Sequence, residues 1–207
     1  MRDCRCRLDT YESFAHLASF EEEGRDYSCT VVDRGSDILL MAPHGGGIEQ
    51  GTSEIAQAVA GDAWSFYAFN GLKRSANERL HITSTRFDEP RALRLARQAT
   101  VVCTIHGLRG EEEAIYIGGL GERLRAKLLE ALSSAGFQAD QGEGRHAGIS
   151  PTNPCNRGTT GRGIQLEITR GLRRTMFEAL DRQGRRSKKP SFYRFVRVVR
   201  GVLLDAR

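Results

Sequence analysis

Apolar residues fall in short runs separated by polar turn formers, and the runs alternate between strand-like and helical spacing. Residues 27–33 and 38–42 read as two strands joined by the turn Arg34-Gly35-Ser36. The second contains the longest apolar run, Ile38-Leu39-Leu40-Met41-Ala42, which suits a strand buried on both faces. Thr52 is expected to cap a helix running to about Ala60, with Glu54 in its first turn and Gly61 at its end. Residues 64–69 form the next strand, closed by Asn70-Gly71, and residues 80–83 alternate weakly. Pro90 suits the first turn of a helix to about Gln98. Residues 100–105 are continuous, β-branched and followed by Gly107, and they make the strongest buried strand. A short strand at 114–117 precedes a helix carrying Leu124, Leu128 and Leu132 four apart, which stops at Gly136. Residues 137–139 and 163–168 read as strands, and two basic amphipathic helices, about 172–180 and 191–204, finish the chain.

Strands alternating with helices predict a layered α/β fold. No internal repeat, low-complexity block or Pro/Gly/Ser linker divides the 207 residues, so a single domain is expected over 1–207, with its core at about 27–204. The composition, 39% apolar and 28% charged, is that of an ordinary globular protein, and no apolar run is long enough to span a bilayer. Met1-Arg2-Asp3-Cys4-Arg5-Cys6-Arg7 is not followed by an apolar run, which predicts no secretory signal and a cytoplasmic protein, with lysis as a route of release. The five cysteines are odd in number and scattered, which argues against a disulfide framework. Cys29 and Cys103 sit in strand-like runs as small core residues, and Cys4 with Cys6 is a lone C-x-C short of the four ligands of a sulfur site.

Charge is uneven. The formal net charge is +5, and after Thr160 thirteen basic residues face four acidic ones. Such an end attracts polyanions, whether nucleic acid, phosphate or an acidic polymer, although a solvated helical face accounts for the charge equally well.

Candidate chemistry gathers where strands end. Pro43-His44-Gly45-Gly46-Gly47-Ile48-Glu49 follows the strand ending at Ala42, His106-Gly107 follows the strand ending at Ile105, and Glu167 lies in Gly163-Ile164-Gln165-Leu166-Glu167-Ile168. Ligands of open α/β sheets collect beyond the carboxyl ends of strands. Two imidazoles and a carboxylate there make a three-ligand zinc set with one position left open, and the case rests on His44, Glu49 and His106 occurring together. The three glycines allow a sharp turn and close approach of substrate or metal. A phosphate cradle is the alternative, but the run lacks the spacing and the lysine of a P-loop. Asn153-Pro154-Cys155-Asn156-Arg157-Gly158 is a turn-rich loop in which Arg157 can bind a carboxylate and Asn156 can add hydrogen bonds. On residues alone it reads as a structural loop.

Taken in order, His44-Gly45-Gly46-Gly47-Ile48-Glu49 with Gly51-Thr52-Ser53-Glu54-Ile55, Leu80-His81-Ile82-Thr83-Ser84 with Phe87-Asp88-Glu89-Pro90, His106-Gly107, Asn156-Arg157-Gly158, and Gly163 to Ile168 with Gly171-Leu172-Arg173 resemble the poly-gamma-glutamate hydrolase family. That family includes phage enzymes that cut γ-glutamyl linkages and bacterial relatives once labelled phage-related replication proteins. The resemblance covers about 27–204. It implies a zinc carboxypeptidase-like, phosphorylase/hydrolase-like fold with a mixed central sheet flanked by helices, and one Zn2+ per chain. By the same resemblance His44, Glu49 and His106 are the metal ligands, and Glu167 is the carboxylate that activates the attacking water. Asn156 and Arg157 hold a substrate carboxylate, with Arg170 as a further contact. The four residues between His44 and Glu49, where zinc carboxypeptidases usually have two, mark the longer loop of the γ-glutamyl group.

The expected substrate is therefore an acidic poly-glutamyl chain, drawn in by a basic enzyme. A cell-wall peptide amidase with the same zinc site is one alternative. A non-catalytic, basic nucleic-acid-binding protein associated with phage is another, with Phe192 and Tyr193 available to stack on bases. Helical spacing with Phe195, Val196 and Val199 assigns those aromatics to the core instead, and a binding module has no need of the four site residues. No membrane partner is expected, and the sequence leaves oligomeric state open. His81 divides evenly between site and structure, His146 reads as an exposed loop residue, and Tyr116 reads as strand first.

Overall fold

The continuous apolar runs become the inner strands of one sheet, because both faces of that sheet are covered. A computed structural model describes residues 9–205, so the Cys4–Cys6 pair lies outside the described residues. In chain order the elements are α1 (Phe14–Ala18), β1 (Tyr27–Val32), β2 (Ile38–Gly46), α2 (Thr52–Ala60), β3 (Ser65–Gly71), α3 (Pro90–Gln98), β4 (Val101–Leu108), β5 (Ala114–Gly118), α4 (Glu122–Ser134), β6 (Gln138–Gln141), β7 (Ile164–Thr169), α5 (Arg170–Met176) and α6 (Pro190–Leu204). The strands form a single mixed sheet in the order β1-β3-β2-β4-β7-β5-β6. The inner strands β3, β2, β4 and β7 run parallel, while β1 against β3 and β5 against β7 are antiparallel. The α/β fold with a mixed sheet between helices is thus the one expected.

Side chains alternate across β2. Ile38, Leu40 and Ala42 join a core built with Ile55 of α2, Leu128 of α4, Met176 of α5 and Phe195 of α6. Leu39 and Met41 face the other way, into a core with Leu17 of α1 and Leu95 of α3. Each fully buried side chain of this size contributes about 1.5–3 kcal/mol of transfer free energy, so the two layers together hold the sheet between them. In α6, Phe192, Phe195, Val199 and Leu203 form the buried stripe, whereas Tyr193 is exposed; Phe192 is a core residue and offers no stacking face. No helix among the described residues is long and apolar enough to cross a membrane.

Several local expectations shift. Thr52 is the first residue of α2 rather than its cap; Gly51, with φ 96°, occupies the cap, and the Thr52 hydroxyl donates to the Glu49 carbonyl at 2.8 Å. The helix expected at 172–180 ends at Met176, because Phe177 is extended and bridges to Lys188. The weakly alternating residues 80–83 follow a 3-10 turn over Asn77–Leu80 and form no strand. The short helix α1 had no periodic signal: only Leu17 of its five residues is buried, and Ser13 caps it by accepting from His16 N.

Candidate metal centre

Three parallel strands deliver the site. β2, β4 and β7 are neighbours, and their register places His106 directly beside Glu167. Partners across adjacent strands point to the same face about 4.8 Å apart. On the other side of β4, the pairing of β2 with β4 ends at Met41, and β2 bulges between Ala42 and Gly45 where it pairs with β3. His44 sits in that irregular stretch, and the turn after Gly46 swings Glu49 back toward it; Glu49 N donates to His44 O at 2.9 Å.

The glycine run is tighter than its sequence suggests. Gly46 has φ +64°, and a Cβ there would fall 2.6 Å from Gly71 O; at Gly47 a Cβ would meet the Asn77 amide at 2.5 Å. At these two positions the lack of a side chain lets the run pack against β3 and Asn77.

His44, Glu49 and His106 each bring one donor atom to a cluster in which all three lie within 4.8 Å of one another. Both histidines are buried. His44 Nε2 lies 2.8 Å from Ile82 O, an acceptor, so Nε2 carries the ring hydrogen and Nδ1 presents a lone pair. That Nδ1 faces Glu49 Oε1 at 3.2 Å and His106 Nδ1 at 3.2 Å. Acceptors aimed at one another repel unless a proton or a cation lies among them. The response of the groups agrees. Burial disfavours charge on His44, but the Glu49 carboxylate outweighs it and raises the imidazole pKa. Burial pushes Glu49 up, yet His44, His106 and His81 hold it down at about 2. Burial dominates at His106 and lowers its pKa.

Two nitrogens and a carboxylate oxygen are the donor set zinc prefers. The backing is that of a ligand cluster: Ile82 O fixes the His44 ring, and Gly107 N donates to Glu49 Oε2 at 2.7 Å. His106 Nε2 is buried with no hydrogen-bond partner among the described residues, while Nδ1 lies 3.2 Å from His44 Nδ1. The residues fit a divalent metal.

Glu167 stands beside the trio. Its Oε1 accepts from Gln165 Nε2 at 2.8 Å, and Gln165 Oε1 accepts from Asn153 Nδ2 at 2.7 Å. His146 approaches the same oxygen, with Nδ1 4.0 Å away. Arg145 Nε donates to His146 Nε2 at 3.1 Å, which leaves the hydrogen of the neutral ring on Nδ1, toward Glu167. His81 stacks on His44 with ring centres 4.1 Å apart, and its Nε2 lies 3.9 Å from Glu49 Oε1. Its Nδ1 is held at 2.8 Å by Asp9, whose buried carboxylate also accepts from Thr83 N at 2.7 Å and pairs with Arg86. Burial pushes the Asp9 carboxyl up, but hydrogen bonds from His81 and Thr83 keep it well below the usual carboxylate range.

The other expected substrate contacts lie apart. The Asn156 amide donates to Gly148 O and Ser150 O, and its oxygen accepts from Leu120 N and Gly163 N, so its hydrogen-bonding capacity is spent on pinning loops. Arg157 donates Nε to Thr152 O. Two residues on, Thr159 N donates to Ala99 O, at the C-terminal end of α3. Arg170 is exposed at the start of α5 and lines a cavity of about 550 Å³ with Arg174, Lys189, Glu178, Asp181 and Gln50, the last of which follows Glu49 in the chain. Tyr116 is the cross-strand partner of Glu167 on β5. Buried Cys103 is pushed up to about 12 and half-buried Cys29 likewise, which makes both inert thiols. Sequence reading missed Asp9, Asn153 and Gln165. Gln165, two residues before Glu167 on a strand and so on the same face, carried the one signal that periodicity could have used.

Comparison with known proteins agrees with this geometry. The family model described as poly-gamma-glutamate hydrolase matches residues 11–198. UPF0714 protein YndL of Bacillus subtilis (strain 168) is 40% identical over 194 residues, covering 92% of this chain and 76% of its own. A zinc-free structure of YndL superposes with a TM-score of 0.92 at 39% identity, covering 96% of this chain and 99% of that one. The structure of a bacteriophage poly-gamma-glutamate hydrolase superposes with a TM-score of 0.94 at 32% identity, covering 96% of this chain and 98% of that one. Family match, sequence identity and superposition all extend over nearly the whole chain, and the chain therefore belongs to the poly-gamma-glutamate hydrolase family.

Proposed function

We propose that this protein hydrolyses γ-glutamyl amide bonds in poly-gamma-glutamate or a similar acidic peptide, with one zinc ion held by His44, Glu49 and His106. The observation that carries the reading is the convergence of two imidazoles and a carboxylate on one point, with Glu167 alongside, in a chain of this family. Zinc bound there would supply a Lewis acid that polarises the scissile carbonyl and makes water acidic enough to lose a proton near neutral pH.

The protein's own groups do the rest. Glu167 takes the proton of the attacking water and hands it to the leaving amine. Gln165 fixes the carboxylate for this task, and Asn153 fixes Gln165, so the acceptor oxygen is oriented before substrate arrives. His146 faces the same oxygen, with Nδ1 4.0 Å away, and helps to orient it. The side carboxylates of a glutamyl chain would replace the exposed partners Glu111 and Glu178 on Arg170, Arg174 and Lys189, around a cavity that Gln50, Glu178 and Asp181 also line. Arg157 remains a candidate for a more distant glutamyl unit, while Asn156 would act there by holding the loop. Attraction of this kind weakens as salt rises.

The experiment is a depolymerisation assay with poly-gamma-glutamate and muropeptides side by side, on protein stripped with chelator and then resupplied with Zn2+. Zinc-dependent shortening of the glutamyl polymer alone is the expected outcome. Cleavage confined to muropeptides would transfer the site to a cell-wall amidase. Absence of bound metal after zinc is supplied would remove the centre itself.

A further inference from the structure

We infer that Arg173 is a positioning residue for the metal centre, a single buried guanidinium that ties together the backbone carrying Glu49, His106 and Glu167. The inference rests on the reading that these residues form a metal-dependent catalytic site. Arg173 lies in α5 with 4% of its surface exposed. Its Nε donates to Ile168 O at 3.1 Å, Nη1 to Gln50 O at 2.6 Å and Nη2 to Leu108 O at 2.8 Å. Ile168 follows Glu167, Gln50 follows Glu49, and Leu108 lies two residues past His106. One side chain thus fixes three segments that are remote in sequence at the point where each leaves the site.

The chemistry of the contact sets Arg173 apart from its neighbours. Arg170, Arg174 and Arg185 each pair with a carboxylate, whereas all three acceptors of Arg173 are main-chain carbonyls, and no carboxylate pairs with it among the described residues. A buried charge without a counter-ion is costly and persists where its hydrogen bonds are well made. Only a planar fork with five donors reaches three carbonyls in divergent directions; an ammonium keeps the charge and loses the geometry. β4 is cleared for the fork: a Cβ on Gly107 would lie 2.7 Å from Arg173 Cζ. Burial pushes the guanidinium pKa down, and the charges of Glu49 and Glu167 oppose that shift, so both carboxylates lie within its field.

The test uses the full chain with Arg173→Lys and Arg173→Met. Zn2+ affinity is measured by competition with a chromophoric chelator, ligand geometry by the visible spectrum of the Co2+ form, and kcat and KM on poly-gamma-glutamate. Folding is checked by circular dichroism. The expected result is two folded variants whose Zn2+ affinity falls about 10–100-fold, the range seen when groups backing metal ligands are changed. The Co2+ bands shift and kcat falls, while KM changes less. A folded Arg173→Lys protein with wild-type affinity, spectrum and kcat overturns the inference and leaves the metal-centre reading intact. An Arg173→Lys protein that does not fold makes Arg173 a purely structural residue and overturns it too. Wild-type protein that binds neither Zn2+ nor Co2+ overturns the metal-centre reading and, with it, the inference.

Discussion

Gly107→Ala inserts one methyl group between Arg173 and Glu49. The added Cβ would lie 2.7 Å from Arg173 Cζ, 2.9 Å from Arg173 Nη1 and 2.9 Å from Glu49 Cβ. Carbon atoms settle at about 3.5–4.0 Å, so something must move by nearly 1 Å. Arg173 is restrained by its three carbonyl partners, and Glu49 by the bond its Oε2 accepts from Gly107 N itself. Overpacking at such a point destabilises by about 1–3 kcal/mol. In a chain of this length each kcal/mol lowers Tm by roughly 2–4 °C, so the expected fall is about 2–12 °C. Because Glu49 is displaced along with Arg173, Zn2+ affinity measured by chelator competition should fall in the same variant. Gly201→Ala is the matched control: that glycine is exposed within α6, and a Cβ there meets nothing within 4 Å. It should gain about 1 kcal/mol from helix propensity and raise Tm slightly. Calorimetry on the two variants, with zinc titration alongside, decides the matter. An alanine at 107 that leaves both Tm and zinc affinity at wild-type values would refute the packing argument.

Glu167→Gln keeps the volume and can still accept from Gln165, so zinc content should be unchanged while kcat on poly-gamma-glutamate drops by about 10²–10⁴-fold; a variant working at the original rate removes Glu167 from the proton transfer. Asp9→Asn removes the charge that holds His81, Thr83 and Arg86, and at pH 7 it should lower stability by about 1–3 kcal/mol. The pH dependence has a definite sign. The folded-state pKa of Asp9 is depressed, so its contribution is complete above the unfolded value near 3.9 and is lost as pH falls through the folded value. The gap between wild type and Asp9→Asn in urea unfolding should therefore shrink on acidification below about pH 4, and a gap that widens there would contradict the assignment. His146→Ala removes the ring that faces Glu167 Oε1 but none of the three metal ligands, so it should lower kcat with zinc affinity intact; a loss of zinc instead would place His146 among the ligands.

Much of the fold follows from sequence because periodicity reports burial, and burial is a local property of a strand or helix. The unbroken apolar run from Ile38 through Ala42 could only be an inner strand, and Leu124, Leu128 and Leu132 could only be one face of a helix. His44, Glu49 and His106 were legible for a related reason: polar side chains at the ends of apolar strands are placed by the strands themselves. What each side chain touches is another matter. Asp9 reaches His81 across 72 positions, and Arg173 reaches Gln50 across 123. Such partners are set by the register of parallel strands and by the return paths of loops, neither of which leaves a periodic trace. The same limit applies to Asn156: its amide can bind a ligand by its chemistry, and in the fold it donates to Gly148 O and Ser150 O. The sequence by itself determined which strands lie inside and which polar groups stand at their ends. The tertiary structure alone decided which of those groups remain free to do chemistry, because a hydrogen bond already made within the fold is unavailable to a substrate.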